Sequence, residues 1–415
     1  MMKKTIRLSL VLVLLFSSLT VMAPVQAESG DGTALDWIGD LEGTAFHIRV
    51  PEDWNGTLLV YARGYSSTVP DPPDAAFNGD VFEELLLDHG YALAASAYQN
   101  GGWAVKEGVH DTLVLTNFFR EQFGEPQNII LYGSSMGGLI TAKSIEKFPG
   151  IYDAGIPMCG SMAGGTAEVD SLLDFSLAYD VTIGWPESWG TLDDVREDVD
   201  IWEGIVYPVL ANLYNPTNYG LHEFMRLVND TTEVGFYLPP WNYGYWLQAV
   251  FMVYGRAEVE VRANGNPAQN IGRVYSLTED EIAYLEGLGV DAEGLLSEMN
   301  ARTNIEADRN ARNYVKNNGD LTGRIRRPVL TVHTKYDVLT PVEVQGVYRD
   351  MVESSGSVEN LVQVYTEGLQ HCHFTPEQVL ALVQAMEYWL ESGNAPGESF
   401  FPESLGFDND FTPGY

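Results

Sequence analysis

Between residues 44 and 160 short apolar runs alternate with helical stretches, and this order limits the fold more than any other feature of the chain. Thr44–Val50, Thr57–Tyr61, Tyr91–Tyr98, Asn128–Tyr132 and Ala154–Met158 read as strands. Val81–Leu87, Val109–Phe123 and Met136–Lys147 read as the helices between them. Strands that are almost wholly apolar, joined by helices, imply a mostly parallel sheet covered on both faces. The alternation stops near Ser161 and resumes with a strand at Pro328–His333, a helix at Pro341–Val352, a strand at Leu361–Tyr365 and a helix at Pro376–Leu390. Between the two parts helical patterns dominate. Asp193–Val206 is one, and Thr278–Leu288 is another, opening on Thr278 with Glu281 three residues later as a capping box. One α/β domain (28–160 and 327–415) with a large, mainly helical cap insertion (161–326) accounts for this better than two domains in tandem.

The strand Asn128–Tyr132 runs directly into Gly133-Ser134-Ser135-Met136-Gly137-Gly138 and then a helix. G-x-S-x-G in a strand–turn–helix context forms a sharp turn that lifts the serine hydroxyl above the sheet. Glycines on either side remove side chains that would clash, and the helix starting at Met136 aims its first amides at an anion formed beside Ser135. Ser134 stands before the nucleophile position. The serine in Gly160-Ser161-Met162-Ala163-Gly164 is one residue out of register.

On these residues the chain resembles the α/β-hydrolase fold enzymes, and among them exported serine esterases and lipases, over roughly residues 44–160 and 327–392. The resemblance implies a Ser…Asp/Glu…His order, with the acid after the strand that follows the insertion. Asp337 occupies that place, before an apolar pair and the helix-starting Pro341; a surface-turn aspartate is the plain alternative. The base should follow the last strand. His47 and His333 fall in strands, His89 and His110 in the crossovers and His222 in the insertion, which leaves His371 and His373. The resembling enzymes often carry the histidine three residues after a glycine, here Gly368, which favours His371 as the base and makes His373 a lining residue. The oxyanion would be met by the N–H of Met136 and by that of Tyr65 in Arg63-Gly64-Tyr65. Related enzymes usually have His-Gly at this turn, so Arg63 is a departure that bears on the loop's geometry.

In this fold Cys159 ends the strand beside the nucleophile strand and Cys372 follows the base, so both sit at the carboxyl edge of the sheet. A Cys159–Cys372 disulfide would tether the histidine loop; two buried thiols are the alternative. Tannases and feruloyl esterases are similar in having a disulfide beside the catalytic histidine, but their partner cysteine directly precedes the serine, where this chain has Ser134. In the insertion Phe236, Tyr237, Trp241, Tyr243, Tyr245, Trp246, Phe251 and Tyr254 cluster either as an aromatic acyl pocket under a lid or as the insertion's own core. Trp103 is a further candidate wall residue.

The implied activity is cleavage of small or oligomeric carboxylic esters through an acyl-enzyme, with no cofactor. A peptidase of the prolyl-oligopeptidase or aminopeptidase kind is the nearest rival, and a catalytically silent binding protein a more distant one. His371-x-His373 is half a metal site with no matching cluster nearby, and Asp408-Asn409-Asp410 lacks the spacing of a calcium loop, so no metal is expected. No phosphate-binding or dinucleotide-binding glycine loop is present either. A formal charge of −35 excludes nucleic acid as a partner, because an acidic surface repels the phosphate backbone. Lys3, Lys4 and Arg7 precede the apolar run Leu10–Phe16, and Val25-Gln26-Ala27 has the form of a cleavage site. Residues 1–27 therefore read as a signal peptide in preference to an uncleaved anchor. The mature chain, without a membrane span, would be secreted or periplasmic.

Overall fold

The computed structural model describes residues 33–237 and 243–414. The expected signal peptide lies outside them, as do Trp241 and the side chain of Tyr243 from the aromatic cluster. The strands are β1 (Thr33–Leu41), β2 (Thr44–Pro51), β3 (Thr57–Ala62), β4 (Ala92–Ser96), β5 (Asn128–Ser134) and β6 (Ala154–Met158), then a small hairpin of β7 (Gly190–Thr191) and β8 (Asp194–Val195), and finally β9 (Val329–Thr334) and β10 (Leu361–Thr366). All but the hairpin form one sheet in the order β1-β2-β4-β3-β5-β6-β9-β10. β2 pairs antiparallel with β1 and β4, and every other pairing is parallel. This is the mostly parallel, helix-flanked sheet that the alternating pattern implies.

Successive residues of the central strands point to opposite faces, and each face has its own helices. Leu58, Val60, Ala94 and Leu131 pack with Val109, Leu115 and Phe119 of α2 (Val105–Phe123) and with Leu139, Ile140 and Ile145 of α3 (Met136–Lys147). Leu59, Leu93, Ile130, Ile156 and Leu330 pack with Phe82 and Leu86 of α1 (Asp80–Asp88) and with Leu382, Val383 and Met386 of the final helix, Pro376–Ser392. Each such Leu or Val taken from water contributes about 1.5–3 kcal/mol. Continuous apolar runs are therefore required here, since neither face meets solvent.

β1 is absent from the sequence reading. Asp36, Gly39 and Asp40 interrupt its apolar run, and as an edge strand it needs cover on only one face. Trp37 supplies that cover, its ring 5.6 Å from Phe46 and 5.2 Å from Phe118. At the other edge residues 406–408 lie along β10, with Glu367 N–H donating to the Gly406 carbonyl at 3.1 Å and Asp408 N–H to that of Tyr365 at 2.9 Å.

Between β6 and β9 the chain is mainly helical, beginning with α4 (Gly165–Thr182) and ending with the helix Arg309–Gly319. Thr278 caps the helix Glu279–Gly287 with the expected capping box. The helix expected over Asp193–Val206 is not continuous. Its first residues form β8 of the hairpin, and helical structure starts only at Ile201, where the Asp200 side chain accepts from the N–H groups of Trp202 and Glu203. The aspartates at 193, 194, 198 and 200 explain this, because a short carboxylate binds nearby backbone and favours caps and turns over helix interiors. Among the described residues no helix is long and apolar enough to cross a membrane.

Candidate active site

β5 passes the chain to α3 through Ser135, whose backbone adopts φ 57° and ψ −125°. A non-glycine residue there is strained, and the surroundings must hold it. The Ser135 N–H donates to the Met158 carbonyl at 2.9 Å, and its own carbonyl accepts from Gly138 N–H at 2.8 Å. The flanking glycines are needed for contact rather than for dihedral freedom. A Cβ on Gly137 would lie 1.9 Å from the Ala62 carbonyl oxygen, and one on Gly133 would lie 2.5 Å from the same atom. The end of β3 can thus press against the turn. Ser134 faces away, its hydroxyl 2.9 Å from that of Tyr61 in the core.

Ser135 Oγ stands 2.7 Å from His371 Nε2, and His371 Nδ1 stands 2.7 Å and 2.9 Å from the two carboxylate oxygens of Asp337. An acceptor-only carboxylate at Nδ1 places the proton there, so Nε2 is free to accept from the serine hydroxyl. Asp337 Oδ1 also accepts from the N–H groups of Leu339 and Thr340 at 3.0 Å and 2.9 Å. Burial acts to raise the Asp337 pKa, but the facing His371, His333 and the Thr340 N–H together hold it below the usual carboxylate value. His373, the alternative base, is exposed. Cys159 and Cys372 are bonded to each other, with their Cα atoms 5.4 Å apart, so the residue after His371 is joined to the end of β6.

The chain has the α/β-hydrolase fold. Three elements that sequence reasoning did not assign support this fold's site. Arg63, in the place of the usual histidine, is buried, and its guanidinium donates to the Ala97 carbonyl at 2.9 Å and 2.7 Å, to that of Asn100 at 3.1 Å and to that of Gly64 at 3.0 Å. It also lies over the Tyr98 ring at 4.4 Å. The departure therefore ties the turn after β3 to the loop after β4. His333 is wholly buried at the end of β9; its Nε2–H donates to the Thr340 carbonyl at 2.8 Å and its Nδ1 accepts from the Gln345 amide at 2.9 Å. It fixes from below the loop that holds Asp337. A lone histidine in an apolar strand, four residues before the acid, was the available clue.

The third is Glu168, on the wall of a cavity of about 220 Å³ that opens at Ser135 and Met136. Tyr65, Trp103, Leu172, Phe251 and Val259 also line it, and Tyr65 meets Phe251 edge-on at 5.2 Å. Of the aromatic cluster only Phe251 reaches this wall among the described residues. Phe236 and Tyr245 are buried in the apolar core instead, and Trp246 packs on Trp202 at 6.0 Å. The described residues contain no cluster of three or more metal-ligating side chains.

The model of a tannase-like family of unknown function (DUF6351) matches residues 41–203 of this hydrolase-fold chain, less than half of it. The o-phthalyl amidase of Xanthobacter agilis is 23% identical over 418 residues, which cover 86% of this chain and 88% of that protein. Feruloyl esterase B from Aspergillus oryzae aligns with TM-score 0.40 and 16% identity over 91% of this chain and 86% of its own. Pyrococcus horikoshii acylaminoacyl peptidase aligns with TM-score 0.41 and 11% identity over 86% of this chain, which spans only 41% of the peptidase.

Proposed function

We propose that this chain is an exported serine hydrolase that cleaves carboxylic esters through an acyl-enzyme. The hydrogen-bond relay from Asp337 through His371 to Ser135, opening on a mostly apolar cavity, is the observation that carries the reading. Ser135 Oγ attacks the carbonyl carbon while His371 Nε2 takes its proton. The N–H groups of Met136 and Tyr65 receive the negative charge that develops on the carbonyl oxygen. Met136 opens α3, so its N–H has no carbonyl one turn back to satisfy it. His371 then returns the proton to the departing alcohol, and water repeats the sequence to free the acid. Asp337 keeps the imidazole in the productive tautomer and offsets its transient positive charge. The helices between β6 and β9 act as the cap over this site. The leader-like residues 1–27 and the disulfide favour an oxidising compartment, outside the cell or in the periplasm.

The likeness to an o-phthalyl amidase favours amides as a second substrate class, since the same proton delivery serves a departing amine. The test is turnover of p-nitrophenyl esters from C2 to C16 beside an aminoacyl and aroyl p-nitroanilide panel. Ester turnover should fall on the order of 10⁶-fold in Ser135→Ala. Turnover that survives the substitution refutes the assignment, and anilides outpacing esters moves the reading to an amidase.

A further inference from the structure

Among the described residues Glu168 is the single acidic or basic side chain on the cavity wall. It projects from the first turns of α4 among Ala163, Ala167, Val169 and Leu172. Its carboxylate accepts from Trp103 Nε1 at 3.2 Å and is hydrogen-bonded by the Ser161 side chain. The indole that holds it is itself fixed. Trp103 N–H donates to Glu258 at 2.7 Å, and the ring fits between Gly165 and Gly319, where an added Cβ would come within 3.0 Å and 2.9 Å of it. Both partners of Glu168 are neutral donors, and no Lys, Arg or His forms an ion pair with it among the described residues. Burial holds this carboxyl above its ordinary pKa, against the pull of the two hydrogen bonds and of the nearby His371.

A carboxylate offers about four acceptor positions, and two are taken. A carboxylate in an apolar wall whose hydrogen-bond donors are both neutral is incompletely compensated when ionised, so a ligand that buries it further without adding positive charge incurs a desolvation cost. The cavity also has a direction. Ser135, Met136 and Tyr65 line it, whereas His371, which the leaving group must face to receive its proton, meets Ser135 Oγ at 2.7 Å without being one of the wall residues, although its charge reaches Glu168. The space beside Glu168 therefore receives the acyl group.

We infer that Glu168 determines acyl specificity, selecting an acyl group that is mostly apolar and carries a protonated amine. This rests on the serine-hydrolase reading above. The test compares four p-nitrophenyl phenylacetates of similar shape, substituted at the para position with aminomethyl, hydroxymethyl, ethyl or carboxymethyl. In the native full-length enzyme kcat/KM should favour aminomethyl over ethyl by about 10- to 100-fold, the range of a hydrogen bond to a charged group, with carboxymethyl the poorest. In Glu168→Gln the aminomethyl-to-ethyl ratio should fall to near one. The ratio is the readout, because a change in folding or in the relay scales both substrates alike.

A flat ratio in the native enzyme, an unchanged ratio in Glu168→Gln, or hydroxymethyl outrunning aminomethyl overturns the inference. Should none of the esters turn over, protection of Ser135 from a fluorophosphonate by benzylamine replaces the ratio; protection no better than that by benzyl alcohol is equally fatal. Fluorophosphonate labelling separates the two levels. A labelled Ser135 with no amine preference removes only the role of Glu168, whereas an unlabelled Ser135 removes the hydrolase reading with it.

Discussion

His222 makes the stability of the chain depend on pH in a way that can be calculated. It lies in the helix Tyr219–Val228, wholly buried, its ring stacked on Tyr245 at 4.9 Å and 13°. Neither ring nitrogen meets a hydrogen-bond partner among the described residues. Burial pushes its pKa down to about 4, outweighing the opposing pull of Glu223. A base whose folded pKa lies below its unfolded value binds its proton more weakly in the native state, so its stabilising contribution is full above about pH 6.5 and is lost as pH falls toward 4. At pH 4 the unfolded histidine gains about 3.4 kcal/mol from protonation and the folded one about 0.4, a loss of roughly 3 kcal/mol. At pH 5.5 the loss is about 1.4 kcal/mol. Other groups titrate in this range, so the useful quantity is a difference. Urea unfolding followed by tryptophan fluorescence, repeated from pH 7 to pH 4, should show the native chain losing about 3 kcal/mol more than His222→Phe, whose phenyl ring can keep the stacking but cannot take a proton. Parallel stability curves for the two chains would refute the reasoning, because the excess pH dependence has no other source.

Two further substitutions test how the relay is held. Cys159→Ala with Cys372→Ala opens a loop of 213 residues, for which chain entropy sets a ceiling of about 5 kcal/mol. The urea midpoint should drop and kcat should fall even where the chain stays folded, since His371 loses its neighbouring tether; native values for both would contradict that tether. His333→Phe leaves the Thr340 carbonyl and the Gln345 amide without their partners, at a cost of about 2–4 kcal/mol. Steady-state kinetics should show kcat reduced with KM little changed, and partial recovery in His333→Gln; an unaltered kcat would mean that the Asp337 loop needs no support from beneath.

What could be read from the chain follows a physical division. β5, β6 and α3 are written almost residue by residue, because a strand buried on both faces is nearly all apolar and the contact at Gly137 leaves no room for another residue. β1 was missed because its outer face tolerates Asp36 and Asp40. The start of α2 lies four residues before the expected Val109, since Val105 enters the helix without a side-chain cap to mark it. At the site the structure brings Ser135, Asp337 and His371, the residues that motif and order single out, within hydrogen-bond reach of one another. Glu168, Arg63 and His333 were not legible. Each acts through a partner distant in the chain: Trp103 for Glu168, Ala97 for Arg63 and Gln345 for His333. The aromatic cluster was ambiguous for the opposite reason, as one composition serves a pocket and a core equally well.

The bond between Cys159 and Cys372 has a topological consequence. It closes the polypeptide into a covalent ring that contains the helices between β6 and β9 together with β9, β10 and the loop of Asp337. A protease that cuts an exposed loop between β6 and β9 therefore opens the ring without releasing a fragment, and Ser135 and His371 remain parts of one molecule. The stretch between β6 and β9 is thus where loops can be lengthened, exchanged or nicked while the two halves of the α/β core stay joined.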